Sequence, residues 1–226
     1  MNDTPPLQVL QIAPGDLWAG AEVQLYNLAR ALHNRHDTLV SVILLNHGPL
    51  ERHLIDAGIE CIVIDENNFS FFGILIRLMQ HIRKHQPDII HTHISKVNIV
   101  GSISAYITGR VPSVKTVHGS QEHPPSLMQI KKRIILFAEW LCGRFLQQKV
   151  IAVSENLARI LAKDFQADRI CVIENGIDSA SLIKSLGNTA HTSDKATRPF
   201  KVGIAGRLVP IKRIDLFIRT ARYFKK

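Results

Sequence analysis

Seven short runs of aliphatic and β-branched residues recur along the chain, and helical stripes separate them. The runs are LQVLQIA (7–13), TLVSVILLN (38–46), IECIVID (59–65), DIIHTHIS (88–95), PSVKTVHG (112–119), KVIAVS (149–154) and RICVIEN (169–175). Strands that are apolar at consecutive positions are covered on both faces, and helices between them act as crossovers linking parallel neighbours. The expected fold is therefore α/β, a doubly wound parallel sheet with right-handed connections. Ligands of such sheets bind at the carboxyl ends of the strands. That singles out the loops after Ala13, Ser95, His118 and Ser154.

The helical segments support this frame. Leu25, Leu28, Ala29 and Leu32 make one stripe, and LERHLIDAG makes a short helix with Gly58 as its C-terminal cap. GILIRLMQHIRKH is a helix stopped by Pro87, VNIVGSISAYITG is another, and Glu155 to Phe165 a third. The longest spans 127–147, where Ile130, Ile134, Phe137, Leu141 and Phe145 form a stripe wide enough to face a sheet, widened further by Ile135, Leu136 and Trp140. Its start is basic, so two readings are open: a core helix with a solvated first turn, or a segment that docks on an anionic membrane.

Residues 179–199, SASLIKSLGNTAHTSDKATRP, break the pattern and read as a linker between a domain over 1–178 and a second domain beginning at 200. That second part, FKVGIAGRLVPIKRIDLFIRTARYFKK, reads as one strand and one helix with the stripe Ile214, Phe217, Ile218, Ala221 and Phe224. One strand and one helix cannot close a core, so the second domain is expected to be truncated.

The net charge of +9 is an end effect: residues 1–200 hold 20 Lys/Arg and 18 Asp/Glu, and residues 201–226 hold 8 and 1. A nucleic-acid surface would be basic across a face, so no nucleic-acid partner is expected. Cys61, Cys142 and Cys171 stand far apart with no C-x-x-C pair, which argues against a disulfide framework or zinc knuckle and suits a reducing, cytoplasmic setting. MNDTPPLQVLQIAPG has no basic cluster and is not expected to be a secretory signal, and the runs SFFGIL and IILFA are too short to span a bilayer.

Four segments in order resemble the GT-B glycosyltransferases of family 4. They are PGDLWAGAEVQLYNLARAL, QPDIIHTHISKVNIVGSISAYITGRVPSVKTVHG, VIAVSENLARIL with ICVIENGIDSASL, and VGIAGRLVPIKRIDLFIRTA. The resemblance covers Leu7 to Ala221. It implies two Rossmann-like domains facing across a cleft, the first for the acceptor and the second for a nucleotide-sugar donor. It further implies sugar transfer with retention and no metal cofactor. The acceptor is expected to be a glycan or a lipid-linked molecule of the cell envelope, reached from the inner face of the membrane. The family's later Glu-x7-Glu segment has no counterpart here, so the 226-residue chain is expected to be inactive alone. The alternative is a non-catalytic acceptor-binding or partner-dependent module. A dinucleotide-dependent oxidoreductase is disfavoured because G-x-G-x-x-G is absent.

The resemblance carries roles onto particular residues. Gly20 opens the first helix, where backbone N–H groups and the helix N-terminus favour a donor phosphate. The family's preceding glycine is Ala19 here. His118 matches the active-site histidine beside the donor sugar and is the candidate catalytic residue, able to donate to a hydroxyl or to stabilise developing charge. Arg207 and Lys212 match the cations that hold the donor diphosphate. Asp16, Trp18, His93 and Ser154 are candidates for lining the cleft. His91 and His93 share a strand face, His91 reading as core, and no third ligand for a metal is evident.

Overall fold

Each of the seven apolar runs forms a strand, and every pairing between them is parallel. The computed structural model describes residues 5–119, 129–179, 183–184, 201–206, 208 and 210–224. The chain divides into two compact units, Met1–Ser179 and Ala180–Lys226. In the first unit the strands are β1 (Leu7–Ala13), β2 (Thr38–Leu44), β3 (Glu60–Val63), β4 (Ile89–His93), β5 (Ser113–Val117), β6 (Lys149–Ala152) and β7 (Ile170–Val172). The helices are α1 (Gly20–His33), α2 (Pro49–Asp56), α3 (Phe71–His85), α4 (Ser95–Ile107), α5 (Ile130–Phe145) and α6 (Glu155–Leu161).

The sheet order is β3-β2-β1-β4-β5-β6-β7, which is doubly wound. The chain steps outward from β1 to β3, crosses back over the sheet, and steps outward again from β4 to β7. Right-handed crossovers then put α1 and α2 on one face and α3 to α6 on the other. The core divides the same way. Leu25 and Ala29 of α1 and Leu50 and Leu54 of α2 pack on Val40, Val42 and Leu44 of β2. Ile74, Leu78 and Ile82 of α3 and Val97 and Val100 of α4 pack on Leu10, Ile12, Ile43 and Ile90. Because α1 and α2 serve only the β1–β3 half, their face of the β4–β7 half carries no helix among the described residues. A groove of about 730 Å³ runs there.

Local chemistry sets the element ends. Pro49 begins α2, and Ser70 caps α3 by accepting the Gly73 N–H at 3.3 Å. Gln86 closes α3 in the left-handed conformation just before Pro87. Gly58, at φ +71°, follows the last residue of the α2 cap, as its sequence position led us to expect.

Helix α5 departs from expectation. Its apolar stripe does not face the sheet: Ile130, Ile134, Phe137 and Phe145 are 64, 61, 61 and 65% exposed. The inward side is small and polar. Cys142 and Gly143 are buried, and a Cβ on Gly143 would stand 2.7 Å from Phe165 and 2.9 Å from Lys115 Nζ. Close approach of the helix to β5 thus requires the glycine. Lys115 is 3% exposed and lies 3.7 Å from Glu139 of α5, with Phe165 beneath its ammonium. Beside this pair, Gln147 donates to Asn98 Oδ1 at 2.6 Å and to Thr92 Oγ1 at 3.2 Å. A charge pair and an amide network hold α5 from within, and its apolar row is left outside.

The second unit departs as well. Residues 201–206 form no strand, for a lone strand has no neighbour to satisfy its backbone groups. A 3₁₀ turn, Pro210–Lys212, precedes the terminal helix Ile214–Tyr223, whose Ile218 is half exposed and whose following residue, Phe224, is almost wholly exposed. Residues 180–182 and 185–199 of the expected linker lie outside the described residues.

Candidate active site

The carboxyl edge of the sheet is built from the turns after β1, β4, β5 and β6. The first turn is pinned to its neighbour: Asn46 donates its backbone N–H to Pro14 O at 2.8 Å. Gly15 sits at φ +101°, with its missing Cβ 2.6 Å from Asn46 O, so this turn accepts no side chain. Helix α1 then starts at Gly20, which is exposed and has nothing within 4 Å of where a Cβ would stand. Ala19 N–H donates to the Glu22 carboxylate at 3.2 Å, the returning half of a capping box. Glu22 itself is buried.

Three histidines meet across β4 and β5. His91 and His93 project from the same face of β4, with ring centroids 4.2 Å apart. His91 Nε2 lies 2.7 Å from Thr116 Oγ1, and His93 Nδ1 lies 3.1 Å from His118 Nε2. The His93–His118 separation requires one bridging proton between two nitrogens, so one ring donates and the other accepts. Burial lowers all three basicities. His91 falls from 6.5 to about 4, His93 is pushed well below its ordinary value, and both are depressed again by neighbouring histidines. His118 is lowered by burial too, and the Glu22 carboxylate opposes the shift. At neutral pH the trio is uncharged. It can donate and accept hydrogen bonds, but it supplies no fixed positive charge.

The groove on this face is lined by His91, His93 and His118 together with Thr116, Ile151 and Val153. It is apolar along the strands and polar at their carboxyl ends, which suits a ligand with a sugar-like rim. A second cavity of about 490 Å³ opens at the amino ends of the strands around His33, His36, His81 and His85, the edge away from ligands in a parallel sheet. Among the described residues no group of three or more His, Cys, Asp or Glu side chains is arranged to hold a metal ion.

The expected site residues fall out unevenly. His93 and His118 come together at the groove. His91 adjoins them and is buried, in keeping with its core reading. Asp16 is exposed in the first turn. Trp18 packs on His53 of α2 with its ring tilted, centroids 4.0 Å apart, and meets Tyr26 of α1 edge-on at 5.7 Å. Ser154 caps α6, accepting the Leu157 N–H at 3.2 Å. Lys212 belongs to the second unit, where its stem lies 3.6 Å from the Cβ position of Gly206. Arg207 lies outside the described residues. Two site residues escaped the sequence reading, Glu22 and Thr116. Glu22 closes the G-A-E end of the first turn and so carried a signal. Thr116, in the middle of an apolar strand, carried none.

Residues 18–181 match the profile of Glycosyltransferase Family 4. The chain belongs to that family. An Escherichia coli relative, UDP-Gal:alpha-D-GlcNAc-diphosphoundecaprenol alpha-1,3-galactosyltransferase, is 29% identical over 157 residues, which is 66% of this chain and 39% of that protein. Among solved structures, Anabaena HepE in complex with UDP superposes with a TM-score of 0.63 at 22% identity, over 80% of this chain and 50% of that one. A glycosyltransferase from Rickettsia africae gives 0.57 at 25% identity, over 80% of this chain and 47% of that one. The chain therefore spans half or less of the length of these relatives. The family-4 sheet of Met1–Ser179 has the Rossmann-like α/β architecture of these GT-B neighbours.

Proposed function

We propose that this chain is the acceptor side of a retaining sugar transferase that moves a sugar from a nucleoside-diphosphate donor to a lipid-linked or glycan acceptor in cell-envelope synthesis. The observation that carries this reading is the neutral His93–His118 pair at the carboxyl edge of a family-4 sheet, 3.1 Å apart and opening on a groove. An uncharged imidazole at His118 can donate to a sugar hydroxyl as the glycosidic bond to the diphosphate lengthens, while His93 holds its ring in place. Negative charge then builds on the departing diphosphate and needs cations and N–H donors. Lys212 and Arg207 supply the cations, and the α1 N-terminus at Gly20 supplies the N–H groups. No resident metal takes part in this scheme. Asp16 is left for acceptor contact at the rim.

The Escherichia coli relative is named for a UDP-galactose donor and a diphosphoundecaprenol-linked acceptor, which makes a UDP-sugar the first donor to try. We further propose a domain over 1–178, a linker over 179–199 and the start of a donor domain from 200. The protein works in the cytoplasm at the inner face of the membrane, with 127–147 in contact with it. The 226-residue chain by itself is proposed to be without turnover.

The test is a screen of uridine- and guanosine-diphosphate sugars on the full-length protein, alongside His118→Ala. Transfer from one donor class, reduced at least roughly 100-fold by the substitution, is expected. Wild-type turnover left intact by His118→Ala would overturn the assignment.

A further inference from the structure

We infer that the outward face of α5 is a docking surface for an anionic lipid bilayer, and that it holds the carboxyl edge of the sheet against the membrane. The biological sense of this rests on the lipid-linked acceptor proposed above, but the surface itself follows from the packing. Ile130, Ile134, Phe137 and Phe145 form one outward row, and Ile135 is exposed beside it in the second turn. A contiguous exposed apolar row of this kind is unusual for a protein surrounded by water.

Charge identifies the occupant. The helix IKKRIILFAEWLCGRF carries Lys131, Lys132, Arg133 and Arg144 against a single acid, Glu139. That acid is turned inward to Lys115. The outward face therefore presents cations and apolar groups with no helix carboxylate among them, the composition of helices that lie in the interface of anionic membranes. A second copy of the chain would bring like charges together, and a neutral apolar partner would leave the cations unused.

Topology gives the orientation. A helix that follows a parallel strand starts at that strand's carboxyl end, so Ile130–Ile135 projects at the edge that also carries His118. Helix α3 starts at the same edge after β3, on the same face of the sheet, with α4 packed between α3 and α5. Its first residues, Phe71 and Phe72, are 40 and 70% exposed. Two helix starts, one aromatic and one basic and aliphatic, thus face the same way. A bilayer beneath them would bring an acceptor's headgroup to the histidine edge.

The experiment is co-sedimentation of the full-length protein with vesicles of phosphatidylcholine, with and without phosphatidylglycerol, at low and high salt. Binding is expected only to the phosphatidylglycerol vesicles at low salt. The triple change Lys131→Gln, Lys132→Gln, Arg133→Gln should lower partitioning roughly 100-fold, at about fivefold per cation. The pair Ile134→Asp and Phe137→Asp should abolish it. Arg52→Gln, on α2 across the sheet, should leave it unchanged. All these positions are exposed, and unchanged melting curves would show that folding is intact. No wild-type binding to anionic vesicles would overturn the inference. So would binding indifferent to Ile134→Asp and Phe137→Asp, or self-association in free solution that the same pair removes. Transfer to a soluble acceptor analogue separates the two claims. Its survival alongside lost vesicle binding is the expected outcome for the α5 variants, whereas its absence in the wild type counts against sugar transfer and leaves docking standing.

Discussion

Replacing His91 with glutamine should make the protein less sensitive to acid. In the unfolded chain His91 takes up a proton near pH 6.5, while in the fold burial delays this to about 4. Between those values the unfolded state binds more protons than the folded one, so stability falls as pH falls through the window and is flat above it. Working this through for one group gives a loss of about 2 kcal/mol between pH 7.5 and pH 5, and about 3 kcal/mol by pH 4. Glutamine does not titrate, and its amide can keep a hydrogen bond to Thr116 Oγ1, now 2.7 Å from the imidazole. It also removes one of the neighbours that depress His93, which works in the same direction. The assay is urea unfolding of the wild type and the variant at pH 7.5 and pH 5. With a slope of about 2 kcal/mol per molar urea, the wild-type midpoint should drop by about 1 M more than the variant's. Equal drops in both proteins would refute the argument, since His91 would then be no harder to protonate in the fold than outside it.

Three further outcomes follow from the packing. Gly101→Ala should destabilise the first unit by about 1–3 kcal/mol in urea unfolding, because its Cβ would stand 2.6 Å from Thr92 Cγ2 and 3.3 Å from Ile12 Cδ1. Glu139→Ala should cost about 3 kcal/mol by leaving buried Lys115 unpaired, and adding Lys115→Met should restore most of it in thermal melts; a neutral single substitution would show that water already solvates the ammonium. The Cys61 thiol is pushed up to about 12 by burial, with Glu51 adding to the shift, so it should resist alkylation at pH 8 in the folded protein and react readily in urea, as peptide mapping would show.

The order of elements was legible because a parallel sheet needs strands that are apolar on both faces, and LQVLQIA or KVIAVS cannot be read otherwise. The candidate site was legible because topology puts the loops after β4 and β5 side by side, which brings His93 to His118. Of the two readings of α5, the one that put its stripe against the sheet fails for a physical reason. A stripe of Ile130, Ile134, Phe137, Leu141 and Phe145 says that one face is apolar, not that this face is inside. The deciding residues were Lys115 and Glu139, charged groups that default to the surface and here turn inward towards each other. Glu22 and Thr116 escaped for a related reason, since a polar residue in a strand or first turn has no periodicity to mark it. Trp18 shows the converse, as its aromatic ring is used to tie α1 to α2.

The neutrality of the histidines bears on how the proposed reaction divides its labour. Three imidazoles packed within one layer cannot all be charged, because each cation would raise the cost of the next and burial penalises all of them. The first unit therefore offers directional hydrogen bonds and little positive charge. The charge balance agrees, with 20 basic against 18 acidic residues up to position 200 and 8 against 1 afterwards. A departing nucleoside diphosphate needs cations at the moment its bond to the sugar breaks, and in this chain they are concentrated after Phe200, Arg207 and Lys212 among them. In the proposed reaction the hydrogen bonds come from the histidines and the cations from residues 201–226, so each set is expected to be needed for transfer.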